Sequence, residues 1–289
     1  MRIAHNIAGM NTSRNQGMVK TQLGKSLEKL SSGYRIVRAG DDAAGLAISE
    51  GMRSQIAGLD QAMRNAEDGV GMVNTGEGAL QEVHAMLHRL ETLAIESANG
   101  TFNDVARENV DLEKKEIMEE IDRICGNTSF NENDLFNFGE PPVPINPPAQ
   151  SDLVTFQIGP SGEEVMDVPR YFMGSKALGL MGEDGNTEME LGTPEKANAA
   201  IDTIAQAVQA VTVVRSEFGA AQNHLDHTHN SLSVTAENMQ AAESRIRDTD
   251  MPDEITNFTS KNILMQATMS MQSQANAVPQ SVLTLLQNA

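Results

Sequence analysis

The sequence predicts a mainly α protein: a long antiparallel helical bundle of coiled-coil type, with paired terminal helices and a small insert carrying one β-hairpin. Three observations carry this expectation. Apolar residues recur at spacings of three and four from Ile56 to Ala94 and from Ile201 to Ile246, the period of an α-helical seam. Aromatics are 3% of the 289 residues with no Trp, while 17 Met join Ala, Leu, Ile and Val, a set that fills helix–helix seams better than sheet cores. Eight of the ten prolines fall within 138–196, confining irregular chain to one insert.

In chain order, Ile3, Ile7 and Met10, then Val19, Leu23, Leu27 and Leu30, form a helical stripe near the start. Ile56, Leu59, Met63, Ala66, Val70, Val73, Leu80, Leu87, Leu90 and Ala94 keep one phase, with Glu77 and His84 intruding at seam positions. Gly69, Gly71, Gly76 and Gly78 each cost about 1 kcal/mol relative to Ala inside a helix. No strand precedes them as a phosphate-binding loop requires, so close helix packing is their expected role. Val110, Ile117, Ile121 and Ile124 mark a third, shorter helix.

The insert, 138–194, is acidic and rich in Pro and Gly, and its composition predicts an exposed decoration. Val154-Thr-Phe156-Gln-Ile158 alternates, Gly159-Pro-Ser-Gly162 turns, and Val165 to Val168 resumes an apolar run, which predicts a hairpin. From Ile201 the spacing runs through Ile204, Val208, Val211, Arg215, Phe218, Gln222 and Leu225 to Ile246, roughly 70 Å if one helix. Last come Ile255, Phe258, Asn262, Met265 and Met269 after Pro252, and Val282, Leu285 and Leu286 after Pro279. Three domains follow: 1–40 with 250–289 as paired terminal helices, 41–137 with 195–249 as the bundle, and 138–194 as the insert.

Charge divides these segments. The chain carries −19 in all, yet residues 1–40 hold seven Arg and Lys against Glu28 alone. The basic start lacks the aromatic stacking residues of a nucleic-acid site, so nucleic acid is excluded as a partner. From Ile255 to Ala289 the one charge is Lys261. An amphipathic stretch so poor in charge is unprotected against association and calls for a partner, with folding coupled to assembly.

Chemistry is sparse. Cys125 is the single cysteine, so no internal disulfide forms. His224, His227 and His229 cluster without a completing Cys or Glu, and no metal site is expected. The acidic run Glu113 to Asp122, interleaved with Lys114, Lys115 and Arg123, reads as a solvated, salt-bridged face. No catalytic arrangement and no cofactor site is evident, so no enzyme is expected. No apolar run is long enough to span a membrane, and the start has no apolar region of the Sec type. Composition alone therefore points to the cytosol.

The residues also resemble a known family. Ile3-Ala-His-Asn6-Ile-Ala-Gly-Met-Asn11, Leu27-Glu-Lys-Leu30-Ser-Ser-Gly33-Tyr-Arg35-Ile and Ala39-Gly-Asp-Asp42-Ala-Ala-Gly45-Leu-Ala47-Ile-Ser are similar to the N-terminal signature of bacterial flagellins. Asn65-Ala-Glu-Asp-Gly69, Glu77-Gly-Ala-Leu80, Glu120-Ile-Asp-Arg-Ile124, Thr128-Ser-Phe130-Asn131, Gln274-Ala-Asn276 and Pro279-Gln-Ser-Val-Leu283 extend the match. It covers 1–137 and 195–289, while the middle resembles nothing. After Asn131 stands Glu132 where the family has glycine.

The resemblance implies a structural subunit that self-assembles into the extracellular flagellar filament for swimming. Ile3, Ile7, Leu23, Leu27, Leu30, Ile255, Phe258, Met265, Val282 and Leu285 would be its polymerisation residues. It implies unfolded export through the type III apparatus with an export chaperone and no cleaved Sec signal, which would remove the cytosolic reading. Hook–filament junction and cap proteins become partners. A stretch resembling Leu-x-Arg-x-Arg-Glu-Leu, the signature met by Toll-like receptor 5, stands here as Leu87-His-Arg89-Leu-Glu-Thr92-Leu93. Leu87, Arg89, Leu93 and Glu113 are the receptor candidates, with Glu91 and Thr92 departing from the pattern. A hook–filament junction protein and a non-polymeric coiled-coil scaffold are the alternatives.

Overall fold

The structure, a computed structural model, describes residues 6–137, 150–181 and 189–287. The elements run α1 (Ile7–Ser32), α2 (Ala43–Ala98), α3 (Asp104–Asn127), β1 (Ser129–Phe130), β2 (Asn133–Asp134), β3 (Gln150–Gln157), β4 (Val165–Tyr171), α4 (Pro194–Arg247) and α5 (Met251–Gln287). They form two compact units, Met1–Ile56 with Glu237–Ala289, and Ala57–Ala236. The mainly α expectation holds.

In the Ala57–Ala236 unit α2 buries two lines of residues. One is Leu59, Ala66, Val73, Leu80, Leu87 and Ala94; the other is Ala62, Gly69, Gly76, Val83 and Leu90. The first matches the predicted seam, whereas the second runs one residue earlier than Met63, Val70, Glu77 and His84. α4 does the same, burying Ile204, Val211, Phe218 and Leu225 together with Ala200, Ala207, Val214 and Ala221 in place of Val208, Arg215 and Gln222. Close packing explains the shift. A Cβ on Gly76 would lie 2.6 Å from Phe218 Cε2, and one on Gly69 would lie 3.1 Å from Leu225 Cδ1. Small residues on this line admit the large side chains of the facing helix. Gly78, with nothing within 4 Å, takes no part.

The displaced residues find their own partners just outside the core. Arg215 donates from Nε (3.0 Å) and Nη2 (2.6 Å) to Glu77 Oε1, so two charges that would each disrupt an apolar seam neutralise one another beside it. His229 Nε2 lies 3.2 Å from Glu67 Oε1.

On α3, Asn103 Oδ1 accepts from the Ala106 N–H at 2.8 Å and caps the helix. Val110, Met118, Ile121 and Cys125 face the core. Burial pushes the Cys125 thiol up to about 12, and its Sγ donates to Met173 O at 3.1 Å, an inert packing residue. One residue of the predicted solvated face does not conform: Lys114 is 1% exposed. Its ammonium is 3.0 Å from Asp111 Oδ1 and donates to Met189 O at 2.5 Å, while Asp111 Oδ1 accepts from the Leu191 N–H. A buried lysine is tolerated because acceptors surround it.

β3 and β4 pair antiparallel with Val154 opposite Val168 and Phe156 opposite Met166, as the alternation predicts. The hairpin is more than an exposed decoration, however. Met166, Val168, Tyr171, Met173, Leu178 and Leu180 are buried in the common core with α2, α3 and α4, and Asn65 Nδ2 donates to Gln157 O at 2.9 Å. Net acidity hid these apolar residues. A second, minimal hairpin of β1 and β2 was not predicted: Asn131 (φ 52°) and Glu132 (φ 65°) form its two-residue loop, the left-handed pair that replaces the expected Asn-Gly. Pro141, Pro142, Pro144, Pro147 and Pro148 lie outside the described residues.

Candidate assembly surface

The unit of Met1–Ile56 and Glu237–Ala289 is organised by α1 and α5. On α1 the shielded residues are Gly9, Thr12, Gln16, Val19, Leu23, Ser26 and Leu30; on α5 they are Glu254, Phe258, Lys261, Met265, Thr268, Gln272, Ala275 and Pro279. Both series step by three and four, so each helix gives one heptad line to a shared antiparallel seam. Half of that seam is polar. Thr12 Oγ1 donates to Gln272 Oε1 at 2.5 Å, and Lys261 Nζ donates to Ser26 Oγ at 2.9 Å.

Asn6 closes one end. Its Oδ1 accepts from the Gly9 N–H at 3.0 Å, capping α1, and its Nδ2 donates to Ala275 O at 2.9 Å. That carbonyl is one turn before Pro279, which lies inside α5 and has no N–H to give it. α5 thus continues through Pro279, with the orphaned acceptor served from the other end of the chain. Gly9 allows the approach, since a Cβ there would meet Asn6 Nδ2 at 2.6 Å.

The other end is closed by Gly33, the left-handed C-cap of α1 (φ 78°), whose carbonyl accepts from the Thr249 N–H at 2.9 Å. Arg35 N–H donates to Arg247 O at 2.7 Å. Arg247 in turn donates to Glu50 Oε1 at 2.6 Å and stacks 4.9 Å over the Tyr34 ring. The Lys25 ammonium and the Arg38 N–H beside Asp41 hold its carboxyl below the usual carboxylate range. Asp42 Oδ1 accepts from Gly45 N at 2.9 Å at the start of α2. Within the motif stretch 27–49, Gly33, Arg35, Asp41 and Asp42 each thus have a local task.

The seam leaves ten large apolar side chains outside. Ile7, Met10, Met18 and Leu27 on α1, and Ile255, Ile263, Leu264, Met269, Met271 and Val278 on α5, are 49–68% exposed. Because Lys261 is turned into the seam, the outer face of α5 from Ile255 to Ser281 carries no charge.

Against this geometry the comparisons are decisive: the bacterial flagellin N-terminal helical region matches residues 3–138, and the C-terminal helical region matches residues 201–286. The chain belongs to the bacterial flagellin family. A flagellin of Halalkalibacterium halodurans is 44% identical over 99% of this chain and all of the relative. A flagellar filament 31.3 kDa core protein of Treponema maltophilum is 40% identical with the same coverage. A solved flagellar hook-associated protein of Vibrio parahaemolyticus has a TM-score of 0.57 at 16% identity, covering 72% of this chain and all of that one; the likeness is one of fold alone.

The flagellin candidate residues fall into separate environments. Ile7, Leu27 and Ile255 point outward, whereas Leu23, Leu30, Phe258 and Met265 are half-buried on the α1–α5 seam. Ile3 and the side chains of Val282 and Leu285 lie outside the described residues. Of the receptor candidates, Arg89 and Glu113 are half-exposed and paired, Nε to Oε1 at 2.8 Å. Leu87 and Leu93, at 0% and 1% exposure, are core residues; the stretch resembling the receptor signature spans two faces of α2. Spacing alone did not single out Met18, Ile263, Leu264, Met271 and Val278, because they lie off the heptad line. The signal that could have found them is their apolarity in a stretch without charge. Flagellins are a structural family, not enzymes.

Proposed function

We propose that this chain is a subunit of an extracellular flagellar filament for swimming motility, and that it polymerises through the outward faces of α1 and α5 onto further copies of itself. One observation carries the reading: a charge-free face of α5 with six large apolar side chains at half exposure or near it. Such a face is an interface waiting for cover. Burying the exposed half of each side chain contributes roughly 1 kcal/mol per subunit contact. The full-length likeness to a filament core protein supports the same assignment.

Export as an unfolded chain through the type III apparatus, with a chaperone on the C-terminal segment and junction and cap proteins at the filament ends, goes with this function. For Toll-like receptor 5, Arg89 and Glu113 are the surface available for contact, and Leu87 and Leu93 act only by holding α2 in place.

The test uses two separate variants of the full chain, Leu264→Lys and a deletion of 254–289. Electron microscopy after seeding is expected to show no filaments from either, with the bundle's circular dichroism retained. Normal filaments from both would overturn the assignment. A soluble, defined oligomer of the wild type at every concentration would favour a scaffold, and a trace amount in sheared filaments would favour a junction protein.

A further inference from the structure

His84 and His88 stand one turn apart on α2, which puts both imidazoles on one side of the helix. Their rings meet edge to face with centroids 4.6 Å apart, and the two Nε2 atoms are 3.1 Å from one another. Two nitrogens bound to one tetrahedral or distorted ion at about 2.0–2.1 Å lie about 3.0–3.4 Å apart. The pair is already at that bite.

The second nitrogen of His88 fixes its role. Nδ1 is 3.1 Å from Glu91 Oε2, and a carboxylate only accepts, so the proton sits on Nδ1 and the Nε2 lone pair faces His84. This is the carboxylate–histidine arrangement that orients metal-bound imidazoles. Without an ion, His84 must donate from Nε2, which leaves its Nδ1 a bare lone pair; that atom is buried and has no hydrogen-bond partner among the described residues. An ion between the two Nε2 atoms takes both lone pairs, and the His84 proton then sits on Nδ1.

We infer that His84 and His88 form a two-histidine site for a divalent transition-metal ion of the zinc, nickel or copper class, with Glu91 positioning His88. Imidazole nitrogens select these ions over calcium and magnesium, which want oxygen. Among the described residues no group of three or more His, Cys, Asp and Glu converges, so the remaining coordination positions go to water or to a donor from another molecule at the exposed His88 edge. The sequence expectation of no metal site considered only His224, His227 and His229; it overlooked this pair because His84 counted as a seam intruder.

The experiment is calorimetric titration of the full chain with Zn2+ in imidazole-free buffer, paired with Cu2+ electron paramagnetic resonance. One saturable Zn2+ site is expected in the wild type, with coupling of Cu2+ to two nitrogens. His88→Ala, on an exposed side chain, should weaken Zn2+ at least tenfold and leave one nitrogen coupling, and His84→Ala should weaken it as much. Glu91→Gln should weaken binding about tenfold while keeping both couplings, and the double change His224→Ala with His227→Ala should have no effect. Circular dichroism checks that each variant is folded. Absence of Zn2+ binding by the wild type, equal affinity in His88→Ala, or loss only in the His224/His227 variant would overturn the site.

Discussion

Asn6→Ala tests whether the two chain ends are joined as the structure indicates. The substitution removes three side-chain bonds, of which the exposed one to Asn276 Oδ1 at 3.3 Å adds little and the other two carry the cost. Loss of the Gly9 N–H cap costs about 1 kcal/mol. Loss of the donor to Ala275 O leaves a partly buried carbonyl without a partner, about 1 kcal/mol more. The total, about 2 kcal/mol, is a factor of about 30 in the closing equilibrium of the α1–α5 pair. Hydrogen exchange reads it directly as faster exchange in peptides from both ends of the chain. The double-mutant cycle with Pro279→Ala isolates the second bond. An alanine at 279 returns the N–H that a helix normally offers Ala275 O, so in that background Asn6→Ala should cost only the cap, about 1 kcal/mol. Equal costs in the two backgrounds would refute the reasoning, because Asn6 would then not be serving the carbonyl that proline frees.

Three further outcomes follow from the Ala57–Ala236 unit. Arg215→Met leaves Glu77 with neither oxygen hydrogen-bonded to a described residue, since Oε2 already lacks a partner among them; thermal unfolding should show a loss of about 1–3 kcal/mol. Replacing both Glu77 and Arg215 by Met should come within about 1 kcal/mol of wild type. Gly76→Ala should destabilise by about 1–3 kcal/mol through the Phe218 ring, whereas Gly78→Ala, in open space, should stabilise by up to about 1 kcal/mol. The pKa of His84 is lowered by burial, then by His88 and Arg215, so the unfolded chain takes up this proton first. Stability is therefore full above the ordinary value of 6.5 and falls as pH drops below it. Urea unfolding at a series of pH values should show a shallower fall in His84→Gln.

The order and type of the long helices were legible because Leu, Ile and Val at a spacing of seven mark one core line whatever occupies the other. The other line was misplaced by one residue. Spacings of 3-4 and 4-3 both fit when one line is Leu80, Leu87 and Ala94, and the true companions include Gly69 and Gly76, which carry no hydrophobic signal. Choosing Glu77 and His84 instead made them look like defects. In the insert, net acidity masked Met166, Val168 and Tyr171, whose burial depends on a helix surface distant in sequence. Lys114 is likewise unreadable alone, since its acceptors at Met189 and Asp111 are brought together only by the fold.

The α1–α5 pair shows why the proposed assembly residues were only partly legible. Periodicity assumes that apolar residues point to the partner within the chain, and it therefore grouped Ile7 and Leu27 with Leu23 and Leu30. The structure separates them: Thr12, Gln16, Ser26, Lys261 and Gln272 occupy much of the internal seam, while ten large apolar side chains lie outside it at 49–68% exposure. A seam so polar contributes little burial of its own, because each buried polar pair roughly offsets its desolvation. The apolar term that would hold these helices is available only when another molecule covers their outer faces. Lys261, the single cation available to guard α5 against association, is turned inward to Ser26. On the proposed assembly, the terminal helices would gain most of their stability from the covering copy, with polar seam contacts and the Asn6 and Gly33 closures setting their register beforehand.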